Sequence, residues 1–496
     1  MEPLDDPAEV WERLPPAEWD GAAASHLLRR TGWTARADDV RRAQEEGLDR
    51  TLERLFPVAP IPFPKPELLE RFEADLPELQ EKARVATGAE KLTARRELRE
   101  RSQAALQELR IAWLQMAAAP KNASFAKWVL FLSDVYVVSA EKVRNANFIW
   151  KHFDILSTHA LGPAPELTKA VSRSPAMAMY LDLARSGKKA PNENFARELF
   201  ELFVLGEGHY TERDIKEAAR AFTGYRVDPT TGAFRFAARQ HDDGRKIVFG
   251  KTAAFAGDDV IDVAYEQPGA AEFLPRELAR FYLADEPLPA PYLAALGAVW
   301  RESGFDLRTL VRRFFGSRLF FAPQFRGNLI KSPVQFYLGL LHDLDLNVTP
   351  LARYSTTRLR QMGQQLFQPP NVRGWIGGRM WISSSTLAVR RQLVQQLFTP
   401  LREETLNADE QRTLAETRAR GIDNFVVSDA WFETHAAGSP EDISLRLTES
   451  FLAGDATESV VRTLRDYLAK GPHEQRSERL RTAAIALLQT PDYQLC

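Results

Sequence analysis

The chain is expected to be predominantly α-helical, a multi-helix, bundle-like core carrying one small β-hairpin. Three observations lead there. Apolar residues recur at helical i, i+3/i+4 spacing over most of the length, and only one segment alternates with period two. The composition, 44% hydrophobic and 27% charged, is that of a packed globular chain rather than a disordered one.

Taken in order, "SHLLRRTGW" and "ADDVRRAQEEGLDRTLERLF" read as two short helices with polar outer faces. "PVAPIPFPKPELLERF" is a proline-marked connector leading into a helix that begins near Pro66. From Glu67 to about Met116 the chain is highly charged, with Ala105, Leu109, Ala112, Trp113 and Met116 at helical spacing. Glu and Arg interleave there, which fits a helical hairpin laid on the core better than a nucleic-acid-binding arm. Between Ser124 and Leu205 the helices become more apolar, as the centre of a fold should. Tyr225-Arg226-Val227 and Phe234-Arg235-Phe236, across the turn-rich Asp-Pro-Thr-Thr-Gly, read as the hairpin, near 223–250. Helices resume near Asp258 and run to about Leu341. The loop "FQPPNVRGWIGGRMWISSST" then interrupts them, and an acidic helical segment closes the chain. Its 496 residues are too many for one core of ordinary size. The expected division is an N-terminal helical region over 1–120, a central core over 121–398 and a C-terminal helical segment over 399–496.

Several function classes lose support at once. With 65 Lys+Arg against 67 Asp+Glu, no basic excess argues for nucleic acid. The one cysteine, Cys496, rules out an intrachain disulfide and any CxxC pair. No apolar run approaches the ~18 residues of a membrane span. The start, "MEPLDDPAEVWERLPPAEWDG", lacks the basic and apolar regions of a signal peptide, so a cytoplasmic protein is expected. A trimmed leader would leave the same start, and export stays open. GxSxG, GxxxxGK[ST] and GxGxxG are absent, as is any HxH or HxxxH pair among the eight histidines.

"PNENFARELFELFVLGEGHY", from Pro191, is the densest polar stretch. At ~100° per residue, Glu193, Asn194, Arg197, Glu198 and Glu201 share one arc of a helix, opposite Phe195, Leu199, Leu202 and Phe203. An i, i+4 ladder of Glu193, Arg197 and Glu201 accounts for those charges as a solvated face. Pro191 and Asn192 suit a helix start, and Gly206 or Gly208 a stop.

"PNENFARELFELFVLGEGHYTERDIKEAARAFTGYRV" resembles the signature of a bacterial family, domain of unknown function 1800. The likeness continues through "HDDGRKIVFG", "LIKSPVQFYLGLL" and "LFQPPNVRGWIGGRMWISSSTL", from near "HLLRRTGW" to near "LLQTPDYQLC". The family has no settled activity; its members look mainly helical and are often encoded beside an exported, sulfatase-like family. The resemblance puts Asn192, Glu193, Asn194, Arg197, Glu198 and Glu201 on signature positions, and His26, His159, His241, Asp242, Gly244 and Lys246 on recurrent ones. Carboxylates of the helix and an imidazole from the loop after the hairpin would suit a divalent cation or general acid–base work.

This sequence departs from the family pattern at one place. Members carry a run resembling W-H-x-H-F before "xxSxEKV"; here Leu132, Ser133, Val135 and Tyr136 stand at the W, H, H and F positions. Both histidines are missing, which weakens any expected divalent metal. Asp134, between them, would point another way on a helix. Three readings remain open. One is a helical scaffold or partner protein working with the sulfatase-like neighbour, its polar groups consumed by pairs such as Arg197–Glu201. Another is a metal-assisted hydrolase built on Asn194, Glu198, Glu201 and His241, with Asp242 as a further catalytic candidate and Lys246 as a binding one. The third is a glycan-binding module using Trp375 and Trp381, with Arg379 between them as a fork of donors.

Overall fold

Local caps set the helix boundaries. Asp20 accepts the Ala23 N–H at 2.8 Å and starts helix Gly21–Thr31. Thr211 and Asp214 cap each other reciprocally at the start of Glu212–Ala221. The computed structural model describes residues 6–453, 458–470 and 475–496 and carries twenty-three α-helices among them, with two antiparallel two-stranded hairpins. Gly47, at φ 75° in the left-handed region, kinks the second helix, Ala37–Leu55.

The charged stretch folds as a helical hairpin. Pro66 precedes Glu67–Val85, which packs along Gly88–Ala118. Lys82–Glu97 at 2.7 Å and Arg101–Asp75 at 2.5 Å tie the outer faces of the two helices together. Their inner face buries Leu69, Phe72, Leu109 and Trp113.

The apolar centre follows in Ala123–Val135 and Ala146–Thr158. Trp128 is buried and satisfies its indole N–H on Ala160 O at 2.6 Å. Phe131 packs edge-on to Tyr282, their centroids 5.9 Å apart. Burying a ring of that size is worth about 2–3 kcal/mol. One hydrophobic core runs from Val10 to Tyr493, and a small satellite gathers Leu351, Leu406, Leu414 and Phe425.

The expected hairpin is present, with Tyr225 opposite Phe236 and Val227 opposite Phe234. A second one was not expected. Lys246–Val248 pairs with Lys251–Ala253 through Phe249 and Gly250, both at positive φ (48° and 76°). Two φ > 0 residues make the tight turn that matches strand twist. Lys246-Ile247-Val248 and Lys251-Thr252-Ala253 lack the apolar–polar–apolar alternation that marks the first hairpin.

The helix after Pro191 also differs from expectation. Asn194–Glu198 is α-helical, but Leu199–Val204 widens into a π-helix, closed by Leu205 N–H on Phe200 O at 3.0 Å. A π turn advances each residue by less than 100°, so Glu201 rotates out of line with Arg197. No helix among the described residues is long and apolar enough to cross a membrane.

Candidate functional site

The π turn decides what the signature carboxylates meet. Arg197 does not pair with Glu201; it forks onto Glu212 at 2.8 and 2.9 Å and lies 3.6 Å from Glu193. Glu201 turns instead to the Tyr210 hydroxyl at 2.7 Å and to Arg373 at 2.9 Å. Arg373 also reaches Glu207 at 2.6 Å, so one guanidinium from the Trp loop clamps the signature helix and the turn after it. Asn192 accepts the Asn194 N–H at 2.9 Å and gives its own N–H to Ser186 Oγ at 3.1 Å, a start built from the local chain. Glu198 is the exception. Half-buried, its carboxylate makes no hydrogen bond or ion pair among the described residues. Burial, and then the charge of Glu201, hold its pKa above the usual carboxylate value, against the pull of Arg373 and Arg197.

His241, Asp242 and Lys246 form a separate network. Asp242 takes a forked pair of bonds from Arg220 at 2.7 and 3.2 Å and one from Gly244 N–H at 3.0 Å, and the Arg220 bond chiefly keeps its pKa low. His241 Nδ1 bonds Thr223 O at 2.8 Å and its ring packs on Phe236. Buried Lys246 donates to Asp242 O at 2.5 Å and Gly244 O at 3.0 Å, closing the loop between the two hairpins. Among the described residues no group of three or more His, Cys, Asp or Glu side chains is placed to hold a metal ion, so Glu198, Glu201 and His241 do not converge as a ligand set. His26 is buried with a ring nitrogen 2.9 Å from Phe320 O, and His159 ends Ala146–Thr158 as its C-cap.

The Trp loop turns its indoles inward. Trp375 and Trp381 are each 8% exposed, while Ile376, Arg379 and Met380 face solvent, the Arg379 guanidinium without a bond to any described residue. No flat indole platform is therefore offered to a sugar. The indoles wall a cavity of about 80 Å³, whose polar lining includes Arg30, Lys127, Asp134 and Asp285. Asp134 accepts the Trp375 N–H at 2.8 Å, and burial pushes its pKa up to about 7. Lys127 donates to Arg30 O at 2.7 Å and Gly32 O at 3.0 Å, and burial draws it down to about 7. Gly374 and Gly378, both at positive φ, lie so close to Asp134 and Asp285 that an added Cβ would fall on those carboxylates.

Several residues of these networks escaped the sequence reading, Arg373, Tyr210 and Lys127 among them. Arg373 lies inside a motif quoted for its prolines and tryptophans, and spacing names no partner 172 residues away. Tyr210 meets Glu201 only because of the π turn. Lys127 did leave a signal, a lone cation in the apolar run "SFAKWVLFL".

A family model described as "Protein of unknown function (DUF1800)" matches residues 26–495. No curated protein and no solved structure matches the chain. The matched span takes in the signature helix, both hairpins and the Trp loop, and the chain belongs to the DUF1800 family.

Proposed function

We propose that this chain is a helical scaffold that acts through a protein partner, with the signature helix serving as an internal brace. The observation that carries the reading is the fate of the charges. Glu193, Arg197 and Glu201 are taken up by one another's neighbours, Glu212, Tyr210 and Arg373, instead of opening onto a shared reaction space. Such ion pairs contribute little each, about 0.2–1 kcal/mol at exposed positions. Their value is geometric: they fix the Trp loop against the helix. The family resemblance suggests the co-encoded sulfatase-like protein as partner. Size-exclusion chromatography of an equimolar mixture tests this. A single, earlier-eluting complex is expected, and two unshifted peaks would overturn it.

A hydrolase reading keeps one observation in its favour, the unpaired and raised Glu198 carboxyl, since a perturbed carboxyl is what a general acid requires. It would work without His241, which is committed to Thr223. The glycan-binding reading has no comparable support, because both indoles are turned into the core.

A further inference from the structure

We infer that the groove between Arg110 and Arg360 binds a small molecule through a phosphate or sulfate ester, the two guanidiniums gripping the tetrahedral oxyanion. Arg110 projects from the long helix Gly88–Ala118 and Arg360 from the short helix Thr356–Gln361. Between them lies a cavity of about 250 Å³ whose remaining lining is Gln107, Thr356, Thr357, Leu359, Gln365 and Leu366. It contains no carboxylate. A second space of about 460 Å³ shares Arg110, Gln107 and Gln365 with the first and continues past Arg99 and Arg144, with Glu141 as its only acidic residue.

Charge is the independent argument. Arg110 is only 7% exposed, yet it makes no ion pair: its Nε goes to Leu366 O at 3.0 Å and one Nη to Gln368 Oε1 at a long 3.4 Å. Burial and then the repulsion of Arg360 draw its pKa down to about 10, the mark of a cation lacking its counter-ion. The guanidiniums of Arg99 and Arg360 form no ion pair or hydrogen bond among the described residues, and that of Arg144 reaches only Glu141 O, at 3.0 Å. Arg101, Arg353 and Arg418 are paired with carboxylates elsewhere on the surface, whereas the lining between Arg110 and Arg360 offers none. A buried cation facing a like charge across open space is costly unless an anion completes it. Planar guanidinium forks fit phosphate and sulfate oxygens two at a time, and the Thr357 hydroxyl and Gln365 amide add neutral donors.

The test is calorimetric titration of the full chain, at constant ionic strength, with inorganic phosphate, inorganic sulfate and acetate. Saturable binding of phosphate or sulfate, and not of acetate, is expected. The tighter of the two identifies the ester. Arg360→Gln, an exposed substitution that leaves the core intact, should weaken binding at least tenfold, and Arg110→Gln should abolish it. Arg391→Gln, an exposed arginine outside the groove, should leave it unchanged. Absence of binding by both oxyanions, equal binding of acetate, or unaltered affinity in Arg360→Gln would each overturn the assignment.

Discussion

Asp134→Asn isolates the cost of a carboxylate held under the Trp loop. Folding raises its pKa from 3.8 to about 7, chiefly by burial, with Glu277 adding to the rise and Arg280 and the Trp375 N–H opposing it. A carboxyl whose folded pKa is raised binds more protons folded than unfolded between those values. Its contribution therefore favours the fold at low pH and is lost as pH climbs from 3.8 through about 7. Asparagine keeps an oxygen for the Trp375 N–H and never ionises. At about 1.4 kcal/mol per pH unit, the variant should gain up to roughly 4 kcal/mol on the wild type by pH 8. Near pH 4 the two should be of similar stability. Urea unfolding of both proteins at pH 4, 5.5, 7 and 8.5 gives the difference, in which every other titrating group cancels to first order. A difference that stays flat with pH, or a variant less stable than wild type at pH 8.5, would refute the reasoning.

Other expectations concern the same loop and its clamps. Gly374→Ala adds a left-handed alanine, about 1 kcal/mol, and displaces the Asp134–Trp375 bond, about 2 kcal/mol more. Gly250→Ala, also at positive φ but with open space around it, should cost only the first part, so chemical denaturation should separate the two by about 2 kcal/mol. A double-mutant cycle on Glu201→Gln and Arg373→Gln should return a coupling of about 0.5 kcal/mol that shrinks in high salt; zero coupling at low salt would deny the clamp. Arg220→Lys replaces a forked donor by a point charge at Asp242 and should lower stability by about 1 kcal/mol, measured by the same unfolding assay.

Much of the helical architecture was legible because many helices carry their own punctuation. Pro66 before Glu67, and the period of Leu109 and Trp113, are local signals that survive folding unchanged. The site was less legible for a stated reason. A helical wheel assumes a constant turn, and the π segment at Leu199–Val204 breaks that assumption, moving Glu201 from Arg197 to Arg373. Asp134 was expected to point another way than the two missing histidines would; in the fold the Trp loop comes to it, placing the Trp375 backbone N–H on its carboxylate. The unpaired arginines of the Arg110 groove left no trace in the sequence, since net charge near zero conceals where partners are lacking.

The central claim, that the signature carboxylates brace the fold and do not hold a metal, is most directly tested by metal analysis. The full chain, extensively dialysed and then offered zinc, manganese or magnesium, would be compared with its Glu198→Gln and His241→Ala variants. The account predicts less than a tenth of an equivalent of any divalent ion in all three. Close to one equivalent in the wild type, lost in both variants, would contradict it.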